Sequence, residues 1–555
     1  MRLFITACIA GTILLASCSN KDAVDPPPAP ALNPEYAGGT IDTQPFDDIL
    51  YGVSKQPVMK LTFTQPIKQG TLATAITLTD ASNSNTVSLN ASLENSNKTV
   101  VLQPAAALNN LRKYFLTVGN SLQSESGGAL RSPFTKTLIT RIDSSRKFPV
   151  ITDNALLDLV QQQTFKFFWD FGHPVSGLAR ERNTSGDLVT SGGSGFGIMC
   201  IPVGIQRNFI TRAEGLARMQ TIVSFLKNTA VKVKGAFPHW LNGATGAIIP
   251  FSPNDNGADL VETSYLMMGL LTARQYFNGA DAAETNLRAD INTLYNNVEW
   301  DWFRQGTQNV LYWHYSPNLG WVMNMPIRGW NECLITYVLA ASSTTHGIPA
   351  SVYTNGWAGG SGFINGGSYY GYTLPLGPAQ GGPLFFAHYS FMGINPNGLN
   401  DTWANYLTQN TNHSLINYRY CLDNPRRWYG YSDSCWGLTA SDIPSGYTAS
   451  SPTNDLGVLA PTAALSSMPY TPVESMKALK FFYYVLGDKI WKEYGFVDAF
   501  SLKELWYASS FLAIDQGPIV VMIENYRSGL LWNLFTSCPE VKNGMRNLGF
   551  TAPYL

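Results

Sequence analysis

The sequence is short of charge. Its 555 residues hold 37 Lys and Arg against 38 Asp and Glu, 14% charged in all, with a net charge of −1. No basic stripe is present to release counterions from a phosphate backbone, so nucleic acid is not expected as a partner. The chain also lacks a GxxxxGK[ST] loop, a dinucleotide fingerprint between strand and helix, and a GxSxG elbow. Those absences argue against nucleotide cofactors and an α/β-hydrolase nucleophile. Histidine is scarce: the six, at 173, 239, 314, 346, 388 and 413, have no HxxxH spacing, so neither a metal centre nor any cofactor is expected. Of seven cysteines, the five beyond residue 18 (Cys200, Cys333, Cys421, Cys435 and Cys538) are odd in number and include no CxxC. No zinc site or disulfide framework follows, and a Cys421–Cys435 pair is left open. After the first residues no segment reaches the roughly 18 uninterrupted apolar residues of a spanning helix. Aromatics, by contrast, are plentiful: 14 Trp, 27 Tyr and 28 Phe. With so little charge, that surplus suits a protein that stacks rings on sugar faces.

The pattern along the chain divides it. Arg2 precedes a short apolar stretch, Leu3 to Ala16, and Leu14-Leu15-Ala16-Ser17-Cys18 resembles the bacterial lipoprotein box. The resemblance implies lipidation of Cys18 and a cell-envelope lipoprotein whose body, expected to be monomeric, is tethered to a membrane. Residues 19–48, rich in Pro and small side chains, read as an extended tether. Over 49–142 the period is two: Met59, Leu61 and Phe63 alternate, as do Val87, Leu89, Ala91 and Leu93, then Tyr114, Leu116 and Val118. Turn clusters at 81–85 and 94–98 separate these runs, which predicts a small β-sandwich resembling the bacterial Ig-like domains. From 143 to 555 the period turns helical, with helices expected at 153–171, 211–228, 257–278, 282–302, 329–341, 401–422, 472–491 and 517–526. The glycine-rich run Gly192 to Gly197 reads as a loop lining a cleft. Two long loops, 356–383 and 430–472, are of a length that is usually functional. Helices joined alternately by short and elaborate loops suggest an (α/α)6 barrel with a central cleft.

The candidate chemistry lies in carboxylates at helix starts. Phe251 to Gly269 reads FSPNDNGADLVETSYLMMG and crowds Asp255, Asp259 and Glu262 where a loop gives way to an apolar run. Asp259 and Glu262 fit a capping box. Offsets of four and seven residues would also put all three on one face of a helix beginning near Asp255, where like charges oppose one another. Glu332, after Trp330 and Asn331, and Asp515, before a Gly-Pro helix start, recur in the same position. Each alone also reads as an ordinary cap. Glycoside hydrolysis needs two carboxyl groups across the scissile bond, one protonated to expel the leaving oxygen and one ionised to activate water.

Several blocks carry a family resemblance: NDNGADLVETSYLMMGLL, RGWNECLITYVLAASS, PLFFAHYSFMG, DQGPIVVMIENYRSGLLW and PVSGLARER near Arg180. Over nearly all of 147–555 the chain resembles the bacterial glucoamylase-like glycoside hydrolases, and more narrowly glycoside hydrolase family 144, whose members act on β-1,2-glucans. That resemblance implies an (α/α)6 fold and an inverting hydrolase of β-1,2-glucan or its oligosaccharides. It implies Glu332 as general acid, Asp255, Asp259 and Glu262 as acids on which activity depends, and Asp515 as the match to the base. The cleft lining would then draw on Arg180, His239, Trp240, Trp313, Trp330, Asn331, His388, Tyr429, Trp436 and Gln516. Two rival readings stand beside it. One is another enzyme on the same barrel, either an exo-acting α-glucan hydrolase of glucoamylase type or a polysaccharide lyase. Near-neutral charge argues against the lyase. The other is a non-catalytic glycan-binding surface lipoprotein.

Overall fold

The computed structural model describes residues 30–555; the lipoprotein-box residues, Cys18 among them, and the first part of the tether lie outside the described residues. The chain forms two compact units, divided between Arg141 and Ile142.

The first unit is a two-sheet β-structure. One sheet has the order β2 (Gln44–Pro45), β1 (Tyr36–Ile41), β4 (Met59–Phe63), β8 (Thr99–Pro104) and β7 (Leu89–Glu94). The other runs β3 (Ile49–Val53), β10 (Phe134–Thr140), β9 (Lys113–Val118), β5 (Ile76–Asp80) and β6 (Thr86–Val87), all pairings antiparallel except β3 with β10. Alternation does the building: Leu61, Leu78, Leu116 and Leu138 point from both sheets into one core, as a sandwich requires. Strands β1 and β2 fall inside the stretch expected to be tether. Their signal is silent because Gly38 and Gly39 carry no side chain to alternate, and a β-carbon at Gly39 would press on the Lys60 carbonyl of β4.

The second unit is rich in helix: α1 (Asp153–Trp169), α2 (Ser191–Gln206), α3 (Arg212–Asn228), α4 (Leu260–Tyr276), α5 (Ala282–Asn296), α6 (Leu334–Ser342), α7 (Tyr406–Asp423), α8 (Pro461–Leu465), α9 (Pro472–Tyr484), α10 (Ala513–Ser528), α11 (Leu530–Thr536) and α12 (Pro539–Asn547). Burial sorts them into kinds. Helices α2, α4, α6 and α10 are buried nearly all round, whereas α1, α3, α5 and α9 bury one stripe. The first kind is interior and the second faces solvent on its far side. α4 packs against α2 and α6, and α2 against α10.

The run Gly192–Gly197 is not the expected loop but the first turns of α2. Glycine disfavours helix by about 1 kcal/mol per residue, yet here it lets two helices meet backbone to backbone. A β-carbon at Gly195 would overlap the Tyr265 carbonyl of α4, and one at Gly269 would overlap the Gly195 carbonyl in return. Tertiary packing overrides propensity at this seam. The long loops carry structure of their own, notably a hairpin of Ala440–Ile443 with Gly446–Ala449. Cys421 and Cys435 are both free, buried thiols. Among the described residues no helix is long and apolar enough to cross a membrane.

Candidate active site

The acids gather at the N-terminal ends of the interior helices. Asp259 is the N-cap of α4, its Oδ1 accepting from the amides of Val261 (3.0 Å) and Glu262 (2.9 Å). Only half of the expected capping box forms, because the Asp259 amide donates to the Phe237 carbonyl and Glu262 turns away. The Glu262 carboxylate instead accepts from the Gly192 amide (2.8 Å) and the Thr190 hydroxyl (3.4 Å) at the start of α2. Asp255 lies in the preceding turn rather than on the helix, so the three acids do not share a helical face. Two histidines bring them together. A short bridge pairs Ala258–Asp259 with His314–Tyr315 and sets His314 opposite Asp259. His314 Nε2 stands 3.1 Å from Asp255 Oδ2 and 3.4 Å from Asp259 Oδ2, and His239 Nδ1 is 3.1 Å from that same Asp259 oxygen. The Trp313 indole N–H donates to it as well, at 3.3 Å.

Burial pulls both imidazoles down, but the surrounding carboxylates outweigh it. Their pKa values are held at about 9 for His239 and about 10 for His314. Conversely, burial pushes Asp259 up, and the bonds from the two histidines overcome this and hold it well below the usual carboxylate range. At neutral pH this is an imidazolium–carboxylate network. His239, Asp255 and Asp259 do bring one ligand atom each within 4.8 Å of one another, a grouping that the scattered histidine spacing hid. In this arrangement the nitrogens of both rings serve the acids as hydrogen-bond donors.

Glu332 lies two residues before α6, partly open to solvent. Its backbone carbonyl is pinned by the hydroxyls of Ser390 and Tyr265. Its carboxyl meets no other side chain by a hydrogen bond among the described residues. Burial first, then the charges of Glu262 and Asp259, raise its pKa to about 7 against the opposing pull of its own amide. Glu262 is raised too, chiefly by burial.

A second acid group lies across Tyr389, whose hydroxyl feels the charges of Asp515, Glu332 and Glu262 alike. Asp515 is not the expected N-cap; it sits within the first turn of α10, which begins at Ala513 behind Leu512. It is hydrogen-bonded to Asp498, and both are 2% exposed. Burial, then the Asp498 charge, pushes Asp515 far above the carboxylate range, and burial lifts Asp498 to about 7. Two buried carboxyls in contact share a proton. Asp498 Oδ2 also accepts the Asp442 amide at 2.7 Å, and Arg182 bonds both Asp442 and Glu181. Asp498 and Asp442 went unmarked in the sequence, Glu181 and Tyr389 stood in the family blocks without a role, and His314 stood in the aromatic run 312–315 as a candidate for the cleft lining rather than as a partner of the acids. Each stands in a segment without periodicity and is assembled only by the fold.

The other expected lining residues make bonds or packing contacts within the protein. Trp330 is 4% exposed and packs among Trp357, Phe363, Phe391 and Tyr406. His388 is buried, bonds Ser467 (3.0 Å), and is held neutral by burial with a pKa of about 3. Trp436 is fully buried with its indole N–H on the Glu474 carbonyl. The Tyr429 hydroxyl accepts the Ile142 amide. Arg180 ties down loop carbonyls of Gly186 and Phe171. Asn331 caps the Cys333 amide, and Gln516 is buried against the Phe496 carbonyl. Of these seven, Trp330, His388, Trp436 and Gln516 are buried in the core, whereas Arg180, Asn331 and Tyr429 stay partly exposed. His239, Trp240 and Trp313 keep partial exposure beside the acids, with Phe251 stacked 4.2 Å over His239.

Comparison with known proteins fits this arrangement. Residues 324–539 match the family described as "Putative glucoamylase", and residues 45–140 match the bacterial Ig-like domain. An exo β-1,2-glucooligosaccharide sophorohydrolase (non-reducing end) of Parabacteroides distasonis is 46% identical over 428 residues. That match covers 73% of this chain and 59% of the relative, so the chain spans less than two thirds of that protein's length. The crystal structure of a putative glucoamylase from Bacteroides uniformis is 55% identical, with a TM-score of 0.73, covering 74% of this chain and all of that one. The endo-β-1,2-glucanase of Chitinophaga pinensis, solved with sophorotriose and glucose, is 52% identical with a TM-score of 0.71, over 73% of this chain and 100% of that one. The chain therefore belongs to the glucoamylase-like family of glycoside hydrolases, joined to a bacterial Ig-like domain.

Proposed function

We propose that this chain is an inverting glycoside hydrolase acting on β-1,2-glucan or its oligosaccharides, and that its helices form an (α/α)6 barrel. The alternation of interior and solvent-facing helices supports the barrel. The observation that carries the activity is Glu332: a partly exposed carboxyl, hydrogen-bonded by no neighbouring side chain among the described residues, with its pKa raised to about 7 by burial and by the charges of Glu262 and Asp259. A general acid at neutral pH needs that combination. Glu332 protonates the leaving glycosidic oxygen. The Asp498–Asp515 pair holds one shared proton and one negative charge. A water attacking the anomeric carbon delivers its proton to that charge, leaving the pair neutral and the configuration inverted. Glu262, held by Gly192 and Thr190, and Asp259, held by His239 and His314, supply the charge that helps keep Glu332 protonated, and with Asp255 they offer acceptors to sugar hydroxyls. The activities of the two relatives, one exo and one endo, share the β-1,2 linkage and support that substrate.

The test is digestion of β-1,2-glucan, sophoro-oligosaccharides and starch by purified protein, with products resolved by size and the newly formed anomer read by NMR. Glu332→Gln is expected to lose about 10²–10⁴-fold in rate while remaining folded. Near-wild-type turnover, or cleavage of starch alone, sinks the assignment. Tethering through Cys18 is a separate part of the proposal. Labelled fatty acid should enter the wild-type chain and not Cys18→Ser; equal labelling removes it.

A further inference from the structure

Outward from the Asp498–Asp515 pair lies a cavity of about 580 Å³, walled by the 440–449 hairpin, a second hairpin of Phe500–Ser501 with Trp506–Tyr507, and the loop that follows Arg182. We propose that this cavity is a glucosyl-binding subsite of the hydrolase, in which Trp506 and Tyr447 offer ring faces to the sugar and Arg182 with Asp442 bind its hydroxyls. It rests on the hydrolase reading given above and adds the residues that hold the chain beyond the scissile bond.

Four observations converge. The volume falls in the range of about 300–1,000 Å³ usual for small-molecule sites, and the walls mix aromatic faces with a few fixed polar groups, as such sites do. The cavity wall touches the acid pair: Asp442, on that wall, gives its amide to Asp498 at 2.7 Å and receives the Ser510 hydroxyl at 2.5 Å. Arg182 is preorganised, bonded to Glu181 at 2.8 and 3.2 Å and to Asp442 at 3.3 Å. With a further bond from Nη1 to the other Asp442 oxygen at 3.4 Å, they engage all three nitrogens and leave the second N–H of Nη2 for a ligand. Tyr447 is 47% exposed, yet its hydroxyl lies within reach of the charges of Asp515, Asp498, Asp442 and Glu181, and it has no hydrogen-bond partner among the described residues. A tyrosine so placed is a phenol waiting for a donor or acceptor from outside the protein.

The local charge also selects the ligand. Around Arg182 stand Glu181, Asp442 and the Asp498–Asp515 pair, so the net field is negative. A neutral hexosyl unit is accepted there, and a uronic acid is repelled.

The experiment uses linear β-1,2-linked gluco-oligosaccharides of increasing length with the full chain, Trp506→Ala and Tyr447→Phe. Trp506→Ala should raise KM for the longer oligosaccharides about tenfold while altering the shortest cleaved one less than twofold, flattening the dependence on length. Tyr447→Phe, which keeps the ring and is the milder change to the fold, should give a rise of about threefold with the same length dependence. An equal fall at every length, or no change at any, overturns the subsite. If the wild-type protein cleaves none of these sugars, the hydrolase reading fails on its own. The subsite is then decided by calorimetric titration of the same sugars. Binding to wild type that weakens about tenfold in Trp506→Ala supports it, and absent or equal binding overturns it.

Discussion

Glu262→Gln should move the alkaline limb of the pH profile. A carboxyl with an ordinary pKa near 4.5 would be protonated in only about 0.3% of molecules at pH 7, whereas one at about 7 is protonated in about half. The environment of Glu332 therefore raises the active acid form by about two orders of magnitude. Burial is the first cause and the Glu262 charge the next that raises it. The amide replacement is nearly isosteric and keeps an oxygen to accept the Gly192 amide, so it removes charge while leaving the contact. Since burial remains, the limb should shift acidward by about 0.5 to 1 pH unit, in line with loss of one nearby charge. At pH 8 this gives an additional loss of about three- to sevenfold over that seen at pH 5.5. The assay is kcat/KM on a β-1,2-linked oligosaccharide between pH 4 and 9, which reports the free enzyme. A limb that stays in place while the rate falls equally at all pH values would mean that Glu262 acts through structure alone, and the electrostatic account of Glu332 would be wrong.

Two further outcomes are expected. His314→Ala breaks a buried network, which costs about 3–5 kcal/mol when one partner is removed. The raised imidazoles contribute stability in full below about pH 6.5 that is lost as pH rises through their folded values of about 9 and 10. Depressed Asp259 contributes stability above about pH 4 that is lost on acidification. The His314→Ala penalty, measured by urea unfolding, should thus be largest near pH 5.5 and shrink by pH 9.5; a constant penalty contradicts the network. Gly195→Ala should lower stability by about 3 kcal/mol or more, because the new methyl meets backbone that cannot rotate away. A melting temperature within about 2 °C of wild type would remove the close-packed seam.

Much of this was readable in advance, for physical reasons. The acids at helix starts were visible because a breaker-rich loop before an apolar run has few other solutions, and Asp259 does cap α4. The β-sandwich showed in Met59, Leu61 and Phe63 because a half-buried strand must alternate. What stayed hidden is what only tertiary contact creates. Nothing near residue 314 marks it as the partner of 255 and 259, and Asp498 gains its meaning from Asp515 alone. The glycines of α2 misled because propensity scores a residue by itself, while their worth lies in the helix they touch. The aromatic loops misled in the other direction: Trp330, His388 and Trp436 looked like sugar platforms, but large rings are more often spent on the interior.

The seam between α2 and α4 has an effect on heating. Gly192, whose amide holds the Glu262 carboxylate, stands one turn from the point where the two backbones touch. Small thermal loosening of that contact would slacken the carboxylate before any helix melts. Heat inactivation curves should therefore run ahead of the unfolding curve, by a margin that narrows when a bound oligosaccharide braces the cleft.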